Sequence, residues 1–212
     1  MKKKVAFMIP GLKNGGAERV LSTISLNLNK NIVQYIFTWN AKKIDYDYDG
    51  EIIDFNIDNS SNIIKNIAVL IKRIRMAKKY KEKYKIDTCI SHLEGANIVN
   101  ILSKGAEKVI ITVHNFQSME RKGGYGFIFK VLIRLLYNRA DKIIAVSEEI
   151  KNDFLNNFKI NFNKVEVIYN PFDVERIKLM SHEKVKEDDI FNNPTIINVG
   201  RLTKQKGQCY LI

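Results

Sequence analysis

Two cysteines, three prolines, three histidines and one tryptophan are all that this 212-residue chain holds of those types. Cys89 and Cys209 lie far apart, each in an apolar run, so neither a disulfide scaffold nor a cysteine-rich metal site is at hand. Both read as reduced core thiols in a reducing compartment. Acidic residues are also in short supply: 23 Asp and Glu face 35 Lys and Arg, a net charge of +12. That excess calls for a polyanionic partner, be it nucleic acid, an anionic membrane surface or a phosphorylated small molecule. Long apolar runs are missing. The nearest, "FIFKVLIRLLY" at 127–137, is broken by Lys130 and Arg134 and falls short of the roughly 20 residues of a membrane span. The basic start "MKKKVAFMIP" stops its apolar run at Pro10 and Gly11, before signal-peptide length. Low-complexity segments are absent too. With 45% hydrophobic and 27% charged residues, the composition argues against disorder and supports a sizeable core.

What is there alternates. Short Val/Ile-rich runs at 5–9, 33–38, 52–57, 88–91, 109–113, 142–146 and 164–168 read as strands. Several are continuously apolar, as expected of parallel strands covered on both faces. Helical periodicity falls between them, at 16–28, 63–84, 96–105, 127–139 and 148–158. This order predicts an α/β fold: a doubly wound parallel sheet, Rossmann-like, with ligands at the carboxyl ends of the strands. The pattern then changes. Residues 170–193 are polar and charged, with Pro171 and Pro194 near the ends, and read as a hinge or linker. "TIINVGRLTKQKGQCYLI" at 195–212 reads as a fresh strand, a glycine turn and a helix start. The expected organisation is a domain over 1–169, a linker over 170–193, and the truncated start of a second Rossmann-like domain over 194–212.

Two glycine corners carry the chemistry. In "GLKNGGAERVL", Gly15 and Gly16 stand between the first strand and the first helix. A helix N-terminus offers unpaired N–H groups and partial positive charge, and glycine lets a ligand approach the backbone. The spacing is not G-x-G-x-x-G, and the second strand ends without an acidic residue for a ribose hydroxyl, so a dinucleotide is not expected. A glycine pair serving only a tight turn is the alternative. In "NVGRLTKQKG", Arg201 and Lys206 straddle a glycine turn, an arrangement suited to clamping a diphosphate. A solvated basic turn is the alternative here.

Together these segments resemble the N-terminal part and hinge of a retaining GT-B glycosyltransferase, of the large group-1 family that builds bacterial polysaccharides and lipid-linked glycans. "ITVHN" at 111–115, "RADKIIAVSEEIKNDF" at 139–154, "VEVIYNPFD" at 165–173 and "INVGRLTKQKG" at 197–207 extend the resemblance across essentially the whole chain. The resemblance implies that Gly15 and Gly16 lie near a donor diphosphate. It implies that Arg201 and Lys206 neutralise that diphosphate as it leaves, with no divalent metal and no cofactor. It implies that His114 faces the transferred sugar as a catalytic group; from the residues alone, a helix or loop cap satisfied by hydrogen bonds is the alternative. His92, Glu94 and Asn115, at or just past strand ends, are assigned to the acceptor cleft; a purely structural role is the alternative for His92 and Glu94. Two departures stand out. Asn170-Pro171 replaces the family's frequent Asn-Gly at the hinge, and the family's paired glutamates lie beyond the last residue of this chain. Ser147, before two acids, reads as a helix N-cap.

One helical segment, "IIKNIAVLIKRIRMAKKYKEKYK" at 63–85, has an apolar stripe of Ile63, Ile67, Leu70, Ile74 and Ala77 amid lysines and arginines. Lys72, Arg73, Arg75, Lys78 and Lys79 are assigned to an anionic membrane surface, with Lys81 on the same basic face. The aromatics of 120–139 beside cations add to this surface. The resemblance then implies an enzyme on the inner face of the plasma membrane, cytoplasmic and peripheral. Its partners are a nucleotide-diphosphate sugar and a lipid-linked saccharide acceptor. Nucleic acid is not expected, because the positive charge is concentrated on one helix and no reading motif accompanies it. The alternative function is a catalytically silent acceptor- or membrane-binding domain.

Overall fold

The strands form because both of their faces are covered. In β1 (Lys4–Met8), Ala6, Phe7 and Met8 are wholly buried. Successive side chains point to opposite faces. Phe7 and Ile9 meet Leu21 of α1 (Gly16–Asn27), while Ala6 and Met8 join a cluster with Phe37, Ala77 and Ala96 on the other side. A continuous apolar run is the signature of such a two-sided burial.

The computed structural model describes residues 2–60, 63–120, 124–184, 192–203 and 206–211, the side chains at 63–64, 119–120 and 124–130 apart. After β1 and α1 come β2 (Val33–Thr38), β3 (Glu51–Asp54), α2 (Ile63–Tyr84), β4 (Thr88–His92) and α3 (Glu94–Leu102). Then follow β5 (Lys108–Val113), α4 (Gln117–Glu120), α5 (Gly124–Tyr137), β6 (Lys142–Ala145), α6 (Glu148–Phe158), β7 (Val165–Val167) and α7 (Val174–Ser181). The seven strands form one sheet in the order β3-β2-β1-β4-β5-β6-β7, and every pairing is parallel. A second cluster, around Ile111, Tyr137, Phe154 and Phe158, packs α5 and α6 on β5 and β6. Ser147 caps α6, its side chain accepting from the Ile150 N–H at 3.3 Å.

α3 is fixed to the sheet by a buried polar chain. Lys81 of α2 pairs with Glu107 at 2.7 Å, both almost fully buried, and its ammonium also donates to the Asn100 side chain at 2.8 Å. Asn100 Nδ2 donates to the Cys89 carbonyl and to Ser91 Oγ. Ser91 Oγ donates to Asn97 Oδ1, and Asn97 Nδ2 to the Thr112 carbonyl at 3.0 Å. The chain thus ties α2 and α3 to the carboxyl halves of β4 and β5. Burial also pushes the Cys89 thiol up to about 11.

Several expectations are corrected. Lys81 is an interior residue, not part of a basic face. Arg73 is turned inward as well: its guanidinium stacks over Trp39 at 5.0 Å and donates to the Ile57 carbonyl at 2.6 Å. Arg73 is half-buried, and its guanidinium is engaged by Trp39 and the Ile57 carbonyl rather than fully in solvent. Ile67 leaves the apolar stripe and is 57% exposed, because the packing face of α2 begins at Val69 and Leu70. Ile63 and the aromatics of 124–130 lie outside the described side chains.

The chain divides into two compact units, 1–172 and 173–212. In the second, α7 rises within the expected linker, capped by Asp173 accepting from the Arg176 N–H. The strand expected at the start of 195–212 forms no ladder, and Ile196 and Val199 are 88% and 93% exposed. A parallel strand is held by its neighbours, and no other strand is found among the described residues of this unit. Cys209 is exposed, not a core thiol.

Candidate functional site

The chain order of the sheet reverses between β1 and β4, and ligands of doubly wound sheets bind outside the carboxyl ends at such a point. Three segments leave the sheet there: the loop from β1 to α1, the turn from β4 to α3, and the residues after β5.

The first segment holds the glycine pair. Gly15 is the N-cap of α1 with φ −155° and ψ 161°, an extended conformation open to any residue. The nearest atoms that an added Cβ on Gly15 would meet belong to the Glu18 carboxylate, the end of a flexible side chain. On Gly16 it would meet nothing within 4 Å. Neither backbone conformation nor internal packing therefore demands these glycines, which weakens the tight-turn reading. No side chain caps the helix, and the space beside Gly16 is open to an approaching ligand.

The second and third segments meet at two histidines. His92 ends β4 and pairs in register with Thr112. Side chains alternate along a strand, so His114, two residues past Thr112, falls on the same side. The rings are 5.4 Å apart between centroids, with His92 Nδ1 3.1 Å from His114 Nε2. Burial, and then the neighbouring His114, pushes His92 down to about 3; burial alone pushes His114 down to about 4. Both rings are neutral at physiological pH, so His114 can offer a hydrogen bond but not a positive charge. Glu94, His114 and Asn115 line a cavity of about 150 Å³ together with Asn97, Thr112 and Gln117. His92 does not: it is 1% exposed and stands behind His114. The strand end that seemed to expose it is covered by its partner histidine and by Phe7, whose ring centroid lies 6.4 Å away. Sequence reading missed Asn97 and Gln117. For Asn97 a signal existed, since two asparagines in the apolar "ANIVNIL" helix would not be buried without partners.

Arg201 and Lys206 lie in the second unit, both exposed. The Thr203 N–H donates to the Arg201 carbonyl at 2.8 Å, and the Lys206 N–H to the Thr203 carbonyl at 2.9 Å. Gln208 Nε2 donates to the Arg201 carbonyl at 3.0 Å. On α2, Lys72, Arg75, Lys78 and Lys79 are exposed.

A model of glycosyltransferase family 4 matches residues 14–176. An N-acetylgalactosamine-N,N'-diacetylbacillosaminyl-diphospho-undecaprenol 4-alpha-N-acetylgalactosaminyltransferase of Campylobacter jejuni is 30% identical over 218 residues, which cover 99% of this chain and 58% of that protein. Among solved structures, a glycosyltransferase of Rickettsia africae superposes with a TM-score of 0.60 at 19% identity, over 90% of this chain and 48% of that one. Anabaena HepE, in complex with UDP and glucose, gives 0.59 at 18% identity, over 82% and 46%. The chain thus spans little more than half the length of the curated relative and about half of the two solved chains. The likeness to the solved structures shows the fold.

Proposed function

As the chain belongs to glycosyltransferase family 4, we propose that its protein transfers a sugar from a nucleotide-diphosphate sugar to a lipid-linked saccharide, with retention, in cell-surface polysaccharide synthesis. The observation that carries this reading is the family match over residues 14–176. The relative that acts on a diphospho-undecaprenol saccharide supports the acceptor class, and the neighbour holding UDP and glucose supports the donor class. The match weighs against a catalytically silent domain.

In this reading the bond from the anomeric carbon to the diphosphate breaks and an acceptor hydroxyl takes its place. The open backbone at Gly16 admits the diphosphate. Arg201 and Lys206 stabilise the charge that develops on it, and no divalent metal is required. His114 donates a hydrogen bond to the transferred sugar. Loss of one such bond is worth about 1.4 kcal/mol, so His114→Ala is expected to lower turnover about tenfold. The decisive assay uses the complete reading frame with labelled UDP-N-acetylhexosamines and a polyprenyl-diphosphate-linked saccharide. Label should move into the lipid phase, and NMR of the product should show the donor's anomeric configuration. No transfer from any nucleotide sugar would sink the proposal.

The same reading places the protein on the inner face of the plasma membrane. Exposed Ile67 and Ile71 stand on α2 beside Lys72, Arg75, Lys78 and Lys79, and exposed Leu132 and Leu135 flank Arg134 on α5. Each basic residue near an anionic surface contributes about 1 kcal/mol. The chain should therefore float with phosphatidylserine vesicles at low salt and be released by high salt. Replacing Lys72, Arg75, Lys78 and Lys79 by Gln should abolish flotation, whereas Arg73→Gln should leave it unchanged. Equal flotation with neutral vesicles would contradict the assignment.

A further inference from the structure

His92 has no task in the proposed chemistry, yet it is costly to keep. It is 1% exposed, and its ring makes one hydrogen bond, to His114. Its Nε2 has no partner. An apolar ring beside Phe7 would fill the same space without leaving a buried polar atom unpartnered. The next residue adds a second cost. Leu93 has φ +73° and ψ 149°, a region almost confined to glycine. Such strain persists only where the surroundings impose it, and here the strand end and the Asn97–Ser91 bond hold both sides of the turn. Two adjacent expenses thus meet at one contact, the ring of His92 against the ring of His114.

We infer that His92 is a positioning residue, whose Nδ1–H donates to His114 Nε2 and holds His114 in the Nδ1–H tautomer. The direction follows from the unpartnered atom. If His114 donated from Nε2, neutral His92 would carry its proton on Nε2 and bury an orphaned N–H. If His92 donates from Nδ1, the atom left over is a bare lone pair. Orphaned buried N–H groups are the rarer case. Neutral rings, as burial makes both of these, can form only one of the two arrangements at a time. The consequence concerns the reaction and rests on the reading that His114 meets the sugar. With Nε2 occupied, the remaining ring nitrogen of His114 carries a proton. It can donate to a sugar oxygen, but it cannot act as a base toward one.

The test is a long-range proton–nitrogen correlation spectrum of the full chain with 15N-labelled histidine. Only three ring systems contribute, and His182, exposed at the end of α7, is the reference. Wild type should show protonated Nδ1 and bare Nε2 for both His92 and His114. His92→Phe should move His114 toward the Nε2–H form, and His92→Asn, which offers an amide N–H near the place of Nδ1, should restore the Nδ1–H form. His114 protonated at Nε2 in wild type, or one tautomer throughout all three proteins, would overturn the proposal. Should the Phe variant not fold, the wild-type spectrum alone decides. These spectra do not depend on turnover. Undiminished turnover by His114→Ala would overturn the catalytic reading above and leave the tautomer standing.

Discussion

Lys206→Ala in the complete protein is expected to lower kcat by about 10²–10³, the range for removing one preorganised group aimed at developing charge. The lysine sits on a turn held by three backbone-directed hydrogen bonds, and its stem lies beside Gly200, where an added Cβ would approach Lys206 Cγ to 3.7 Å. Its ammonium is exposed and free to reach an anion. If the charge builds up only as the diphosphate departs, kcat and kcat/KM should fall together, with KM for the donor little changed. A rise in KM alone would mean that the lysine binds the donor without favouring the transition state. Lys178→Ala, an exposed lysine on α7 of the same unit, is the control and should cost nothing. Full turnover by Lys206→Ala would remove this residue from the diphosphate site.

Lys81→Ala is expected to destabilise the fold by about 3–5 kcal/mol, since it leaves Glu107 charged, buried and unpaired. Against a usual total of about 5–15 kcal/mol this is a large share. Urea unfolding should show a lower midpoint with an unchanged slope. Lys81→Met with Glu107→Leu should recover most of the loss, because no charge is then left behind. Recovery will be partial, as Asn100 loses the ammonium that meets its carbonyl and amide oxygens. A loss below about 1 kcal/mol for Lys81→Ala would mean that water reaches Glu107.

These two lysines show what the sequence could and could not tell. Both look alike in a row of charges. The order of strands and helices was legible because two-sided burial writes continuous apolar runs, as in β1 and β5, and α1, α2 and α6 announce themselves by periodicity. Which lysine points inward was not legible. Lys81 is buried only because Glu107, 26 positions on, arrives beside it, and Arg73 turns in because Trp39 is there. α3 begins two residues earlier than its apolar pattern, at Glu94, because strain at Leu93 lets the helix start directly after β4. The pairing of His92 with His114 needed the register of β4 on β5, which no local pattern encodes. The second corner read as strand, turn and helix start, but its apolar residues have no sheet to join among the described residues, so the strand is missing while a single 3-10 turn at Gln208–Tyr210 stands where the helix start was expected.

The place of β1 in the sheet also has a bearing on synthesis. Its two neighbours are β2 and β4, and the Lys4 N–H is received by Asp87, 83 residues downstream. At about 5–20 residues per second, roughly 4–17 s separate the emergence of these two partners from the ribosome. For that interval one edge of an apolar strand is open, a template for pairing with another nascent chain. The interior place of β1, between strands made at very different times, therefore gives synthesis an interval in which a chaperone can protect it.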